Sequence, residues 1–122
     1  MLKNAAIFIA LLACASLLAG APPAAAHAIV VSAAPPVDSV APGPDVAVEL
    51  RFNSRLDLER SRLTLVLPDG SSRPITVETT ASPAVLAGKI TGLAPGKYVV
   101  KWQVLAVDGH ITRGEIPFSV GR

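Results

Sequence analysis

The sequence predicts an all-β domain, an immunoglobulin-like Greek-key β-sandwich or barrel of about seven strands, behind an export signal. Three observations support this fold class. After residue 26, apolar and polar residues alternate over short runs, clusters of Pro, Gly, Asp and Ser separate the runs, and helical periodicity is absent. About seven short strands with turns between them are typical of an immunoglobulin-like sandwich.

The first 26 residues are typical of a secretory signal. Lys3 gives the positive start, residues 5–18 are apolar and uncharged, and the alanines at 24–26 form a small-residue cleavage site. The alternative is an uncleaved membrane anchor. It is disfavoured because a spanning helix needs about 20 apolar residues, and two prolines interrupt this run. We therefore expect cleavage before His27 and export to the periplasm.

The single cysteine, Cys14, lies inside the expected signal, so the mature chain forms no disulfide. A lipid-modified Cys14 is an alternative, and it would leave His27 inside the chain. Removal of 26 of the 122 residues leaves 96, residues 27–122, which is enough for one domain. The single methionine, Met1, also leaves with the signal.

The charge balance of the mature chain argues against several classes of partner. Because Lys3 is removed, ten Lys and Arg residues remain against nine Asp and Glu. The basic residues are scattered and almost no aromatic residues lie among them, so we expect no nucleic-acid partner. No second long apolar segment follows Ala26, so we expect no membrane insertion after processing.

Seven runs are predicted as strands, with residues two apart sharing a face. Gly88 weakens one run, and Pro117 is tolerated because an outward-facing residue on an edge strand need not donate to a ladder. Tyr98 follows a Pro-Gly turn, where its hydroxyl can bond the preceding loop as a tyrosine corner. The predicted strands are 29–32, 46–52, 63–67, 74–78, 85–90, 98–104 and 116–120, and the inward-facing sets are Val46, Val48, Leu50 and Phe52; Leu63, Leu65 and Leu67; Tyr98, Val100, Trp102 and Val104; and Ile116, Phe118 and Val120.

The sequence lacks the usual catalytic motifs. It contains no nucleophile elbow, phosphate-cradling glycine loop, paired CxxC or helical HExxH motif. We therefore expect a binding protein and not an enzyme.

The two histidines of the sequence are His27 and His110. At a mature N-terminus, His27 offers its α-amine and its imidazole Nδ1, which close a six-membered chelate ring around a metal ion. Because an α-amine has an ordinary pKa of about 8, a metal displaces its proton at small cost near neutral pH. An internal residue cannot supply this pair of donors.

The second histidine lies in the sequence Asp108-Gly109-His110. If this segment is extended, Asp108 and His110 project from the same face and both reach one ion. The alternative is that Asp108-Gly109 is only a hairpin turn, with His110 a solvated strand residue.

The candidate ligands His27, Asp108 and His110 together supply three nitrogens and one carboxylate oxygen. A tetragonal set of nitrogen and oxygen donors is preferred by Cu(II), which also exceeds nickel and zinc in affinity for such sites. Without methionine or cysteine, the mature chain cannot assemble a thioether or thiolate site for Cu(I). The predicted ion is therefore Cu(II).

Several stretches of the chain resemble one known family. The most specific is the Trp-centred strand that runs into Asp-x-His, residues 101–110, and it is accompanied by the start His27-Ala28, the turn 93–98, Gly114 and the ending 118–120. These stretches resemble the CopC copper-resistance family over nearly all of the mature chain. The resemblance implies a periplasmic immunoglobulin-like domain whose Cu(II) ligands are the three candidates named above. It also implies a partner, a copper-transporting membrane protein of the CopD type.

The chain departs from some members of that family in two ways. It has no methionine-rich loop, which places the resemblance with the Cu(II)-only branch. It also has no Glu shortly after the Phe of the second strand, where residues 52–55 read Phe-Asn-Ser-Arg. A weak carboxylate contact is therefore missing, and Asn53 or Ser54 would at most orient a water there.

Three functions follow from these observations. The first is a periplasmic Cu(II)-binding protein for copper buffering, delivery or resistance. The second is a copper monooxygenase or oxidase with a histidine brace. It is disfavoured by the small number of aromatic residues and by an Asp ligand where oxygen activation needs an open position. The third is a metal-free immunoglobulin-like interaction module.

Overall fold

The computed structural model describes residues 28–121. The expected signal at 1–26, with Cys14, and the candidate ligand His27 lie outside the described residues. The strands are β1 (Val30–Ala34), β2 (Val40–Ala41), β3 (Val46–Phe52), β4 (Arg62–Val66), β5 (Ser72–Ile75), β6 (Val85–Ile90), β7 (Gly96–Leu105) and β8 (Ile111–Val120), and a 3-10 turn at Leu58–Arg60 lies between β3 and β4.

These strands form two sheets that pack face to face. The smaller sheet has the order β1-β3-β6, and the larger one has the order β2-β8-β7-β4-β5. Neighbouring strands are antiparallel except β2 and β8, which are parallel. Within the described residues, none of the helical structure is long and apolar enough to span a bilayer. The architecture confirms the predicted all-β sandwich.

The core lies between the two sheets and is built from the predicted inward-facing residues. Every second residue of β3 is buried, and β7 and the second half of β8 show the same alternation. Leu67 differs, since β4 ends at Val66 and this leucine is only partly buried. Because the side-chain period of a strand is two, the alternation fixes which face of each strand enters the core.

The strand β6 is continuous across Gly88, which the sequence marks as a weakness. A Cβ at this position would lie 2.7 Å from Ile75 Cγ2 and 2.9 Å from the Thr76 carbonyl oxygen. Gly88 therefore permits a close approach between the two sheets and does not interrupt the strand.

Two expectations about β8 need correction. The strand begins at Ile111 and not near 116, and it is paired with β7 along its whole length. It is also not an edge strand throughout, because β2 pairs with Ser119 and Val120. The Pro117 carbonyl accepts the Asp38 N–H and therefore points away from β7. In an antiparallel ladder the nitrogen of a residue points to the same side as its carbonyl. Pro117 is tolerated because the N–H that it lacks would not have bonded β7.

The predicted tyrosine corner is confirmed. The Tyr98 hydroxyl donates to the Ala94 carbonyl at 2.7 Å, which is the expected tyrosine corner. In the turn after β4, Gly70 has a φ of 86° and its N–H donates to the Leu67 carbonyl. Hydrogen bonds from the Ser71 hydroxyl and backbone N–H lower the pKa of the Asp69 carboxyl.

Gly114 on β8 makes room for the one tryptophan. Trp102 on β7 lies directly opposite Gly114, and a Cβ on that glycine would lie 2.3 Å from the indole Cζ2. The indole also packs edge-on against Phe52 of the other sheet, with ring centroids 5.2 Å apart. The absence of a side chain at 114 thus lets the indole join the two sheets.

We expect Gly114→Ala to lower the free energy of unfolding by about 1–3 kcal/mol, because the added methyl overpacks the indole. Urea unfolding measures this change. Adding Trp102→Phe should offset part of the loss, since the smaller ring makes space, so the two changes should be less than additive. A Gly114→Ala variant as stable as the parent would contradict this account of the packing.

Candidate metal site

The candidate ligands Asp108 and His110 lie in the hairpin that joins β7 to β8. The last ladder pair is Leu105 with Ile111, and within the loop the Ala106 N–H donates to the His110 carbonyl at 2.9 Å. The chain reverses at Gly109, which has a φ of 91°. The segment is therefore not extended but forms the hairpin turn that the alternative interpretation named, and glycine accepts this backbone geometry.

The turn nevertheless brings the two side chains together. Asp108 Oδ1 accepts the backbone N–H of His110 at 3.1 Å, and Asp108 Oδ2 lies 3.1 Å from His110 Nδ1. The backbone bond is an Asx turn, which orients the carboxylate. One carboxylate oxygen thus fixes the turn while the other faces the imidazole.

The spacing of this pair fits two ligands of one metal ion. Donors held at about 2.0–2.2 Å from an ion and at right angles to each other are about 3 Å apart. The Oδ2–Nδ1 distance of 3.1 Å is also normal for a hydrogen bond from a protonated imidazole nitrogen. A metal ion that binds here would displace that proton.

The pair is open to solvent. The side chains of His110 and Asp108 are 52% and 34% exposed. The aliphatic neighbours Val107 and Ile111 are also more than half exposed. Ligand exchange at this hairpin requires no opening of the core.

The chain enters the sandwich at the same end. Ala28 is the first described residue, and it is 1% exposed and part of the core. The next residue, Ile29, donates its N–H to Asn53 Oδ1 at 2.8 Å and accepts from the Asn53 N–H at 3.0 Å. These two bonds hold the start of the domain to the end of β3.

The segment after β3 also contacts the β7–β8 hairpin. Val107 N–H donates to the Arg55 carbonyl at 3.1 Å, and Leu56 forms an isolated bridge with Ala106. Asp57 N–H donates in turn to the Leu105 carbonyl. Residues 53–57 therefore link the start of the domain to the hairpin that carries Asp108 and His110.

The structure thus brings two of the three predicted ligands into contact, while His27 lies outside the described residues. Among residues 28–121 there is no group of three or more His, Cys, Asp or Glu side chains that could hold a metal. The described part of the site is the Asp108–His110 pair.

Asn53 is the residue that sequence reasoning undervalued. It stands where some members of the resembled family carry a Glu, and it was expected at most to orient a water. In the structure its side chain accepts the Ile29 N–H instead. An Asn just past the end of a strand is a common partner for a nearby backbone group, but the group it bonds is 24 residues away in sequence.

Comparison with known proteins identifies the family. A model of the CopC domain matches residues 30–121. CopC from Methylosinus trichosporium OB3b superposes with a TM-score of 0.67 at 34% sequence identity, over 77% of this chain and 93% of that chain.

Other similarities are weaker. PcoC, a methionine-rich copper resistance protein from Escherichia coli, superposes with a TM-score of 0.65 at 25% identity, over 79% of this chain and all of that one. Protein YobA of Escherichia coli K12 is 57% identical over 28 residues, which is 23% of each chain. Fibronectin(III)-like modules of Clostridium thermocellum CbhA share only the fold, with a TM-score of 0.51 at 21% identity, over 78% of this chain and 46% of that chain.

The family match covers more than half of the chain, and CopC of Methylosinus trichosporium is similar over nearly its full length. PcoC is methionine-rich by its own description, whereas this chain has a single methionine, Met1. The chain belongs to the CopC family.

Proposed function

We propose that this chain binds one Cu(II) ion in the periplasm through His27, Asp108 and His110, and that it buffers or delivers the ion without chemical turnover. The observation that carries the proposal is the contact between Asp108 Oδ2 and His110 Nδ1. Family membership and the similarity to the copper resistance protein PcoC support copper as the ion. The signal-like sequence at 1–26 supports export.

The role of His27 is supported by its neighbours along the chain. It is bonded to Ala28, which is buried, and the following residue is held to Asn53 by two hydrogen bonds. Consecutive Cα atoms are only about 3.8 Å apart. Signal cleavage before His27 would free an amine next to Ala28, and we propose that this amine and the His27 imidazole reach the hairpin ligands.

The oxidation state follows from the donor set. Amine and imidazole nitrogens with one carboxylate oxygen are the donors that Cu(II) prefers, and residues 27–122 contain no methionine or cysteine for Cu(I). When bound, the ion is cargo held by these four atoms. The partly exposed imidazole of His110 suits release to another protein, and a membrane copper transporter of the CopD type is the acceptor that the family resemblance implies.

The N-terminal amine gives the first test. One extra glycine before His27 turns the amine into an amide, which removes one of the proposed ligands. Losing a residue that only supports a metal ligand already lowers affinity about tenfold, so we expect Cu(II) affinity to fall by more than that. Competition with a chelator of known affinity measures it. The control carries one extra residue after Arg122, and equal affinities for the two extended forms would contradict the amine's role.

The hairpin carboxylate gives the second test. We expect Asp108→Asn to keep the turn, because the amide oxygen still accepts the His110 N–H, and to lower Cu(II) affinity by about tenfold or more, because the charge is lost. Calorimetric titration measures it. Asp69→Asn is the matched control, since Asp69 also accepts the N–H of the residue two positions on. Unchanged affinity in Asp108→Asn would exclude this carboxylate as a ligand.

Asn53 gives the third test, as a positioning residue. Asn53→Ala removes the acceptor of the Ile29 N–H and should cost about 1 kcal/mol of stability, together with a several-fold loss of Cu(II) affinity. Asp45→Ala is the control, because Asp45 Oδ1 accepts the Gly92 N–H in a similar bond. We expect Asp45→Ala to lower stability and to leave Cu(II) affinity unchanged. Equal effects of the two variants on affinity would show that Asn53 acts only on stability.

A further inference from the structure

The outer surface of the larger sheet gathers basic residues that are scattered in the sequence. Arg62 on β4, Lys101 on β7 and Arg113 on β8 all lie on it, together with Gln103 and Glu115. The register places Arg62 opposite Gln103, and Gln103 opposite Arg113, in one row across three strands. We call these five residues the basic face. They line a groove of about 550 Å³.

The charge of this surface differs from that of the rest of the domain. Residues 28–121 contain nine Lys and Arg and nine Asp and Glu, so the described domain is neutral when His is uncharged. The basic face holds three of the cations and one of the carboxylates. The rest of the described domain therefore carries two more negative than positive charges. The positive potential of the domain is concentrated on the basic face.

The cations of the basic face are only partly compensated within the described residues. Lys101 Nζ lies 3.6 Å from Glu115 Oε1. Arg113 Nε donates to Gln103 Oε1 at 2.8 Å. Because Gln103 is neutral, this bond orients the guanidinium and does not balance its charge. Arg62 makes no side-chain ion pair or hydrogen bond among residues 28–121.

We propose that the basic face docks the acidic surface of a partner protein. Strands in a sheet are about 4.8 Å apart, so Arg62 and Arg113 are separated by about 10 Å across β7. Two arginines whose backbones are that far apart suit separate Asp or Glu side chains on an extended surface, and a guanidinium can bind a carboxylate through two hydrogen bonds.

Other anionic ligands fit this surface less well. The carboxylate of Glu115 stands among the cations and repels a compact ion such as phosphate. Stacking of single-stranded nucleic acid requires exposed aromatic rings, and the four aromatic residues of the described domain, Phe52, Tyr98, Trp102 and Phe118, are all buried.

The position of the basic face relates it to the metal site, and this step rests on the proposed function. Arg113 lies on β8, three residues after His110 of the hairpin, and three residues of extended chain span about 10 Å. Between them lies Ile111, whose side chain is 53% exposed. A protein seated on the basic face is thereby within reach of the hairpin, where copper would be exchanged.

A binding experiment tests the docking proposal without copper. Protein isolated from the exported fraction and stripped of metal is labelled with ¹⁵N and titrated with an acetylated hexa-aspartate peptide. We expect the largest chemical-shift changes in β4, β7 and β8 around Arg62, Gln103 and Arg113. We expect the affinity to fall as salt is raised, because exposed charges are screened.

Two double variants with the same change in net charge sharpen the test. Arg62→Gln with Arg113→Gln should weaken peptide binding about three- to tenfold, the loss of two exposed charge pairs. The control, Arg73→Gln with Lys89→Gln, removes two exposed cations that lie together outside the basic face. This control should change the affinity for the peptide little.

Three results would overturn the docking proposal: equal weakening in both double variants, shifts confined to other surfaces, or binding to phosphatidylglycerol vesicles without binding to the peptide, which would indicate a membrane ligand. Because the peptide is titrated without metal, these results leave the Cu(II) proposal untouched. Conversely, loss of copper binding in the ligand variants leaves the docking result untouched.

Discussion

The arrangement of the candidate site depends on how the chain enters the sandwich. Ala28 is buried in the core, and Ile29 exchanges two hydrogen bonds with Asn53, one with its side chain and one with its backbone. Residues 55–57 then bond the end of β7 and the hairpin that follows it. The point at which signal cleavage is expected and the Asp-Gly-His turn are therefore connected through one short segment. Without that segment, Ala28 and the Asp108–His110 pair would belong to two unrelated parts of the domain.

Much of the fold follows from strand periodicity. The run 46–52 was predicted with its observed bounds, and its buried face is the predicted one, because a one-residue shift would expose every apolar side chain. The errors arise where tertiary contacts decide. Gly88 is a close-approach position whose neighbours come from distant segments. The early start of β8 follows from its pairing with β7, and the polar residues near Ile111 give no sign of it.

The pairing of Asp108 with His110 was predictable, and its geometry was not. Asp108 and His110 can be singled out from their chemistry, but an extended segment would have aligned them through the strand pleat, whereas the structure uses a turn at Gly109. Asn53 could not be assigned because its partner is remote in sequence. The basic face was missed for a similar reason. Arg62, Lys101 and Arg113 are neighbours only through the register of three strands.

The central claim is that a single Cu(II) ion joins the processed N-terminus to the hairpin. A crystal structure of the secreted, copper-loaded protein tests it most directly. We predict one ion in contact with the amine and imidazole of His27, the carboxylate of Asp108 and the imidazole of His110. An ion bound elsewhere, or a mature chain that begins at a different residue, would contradict the account.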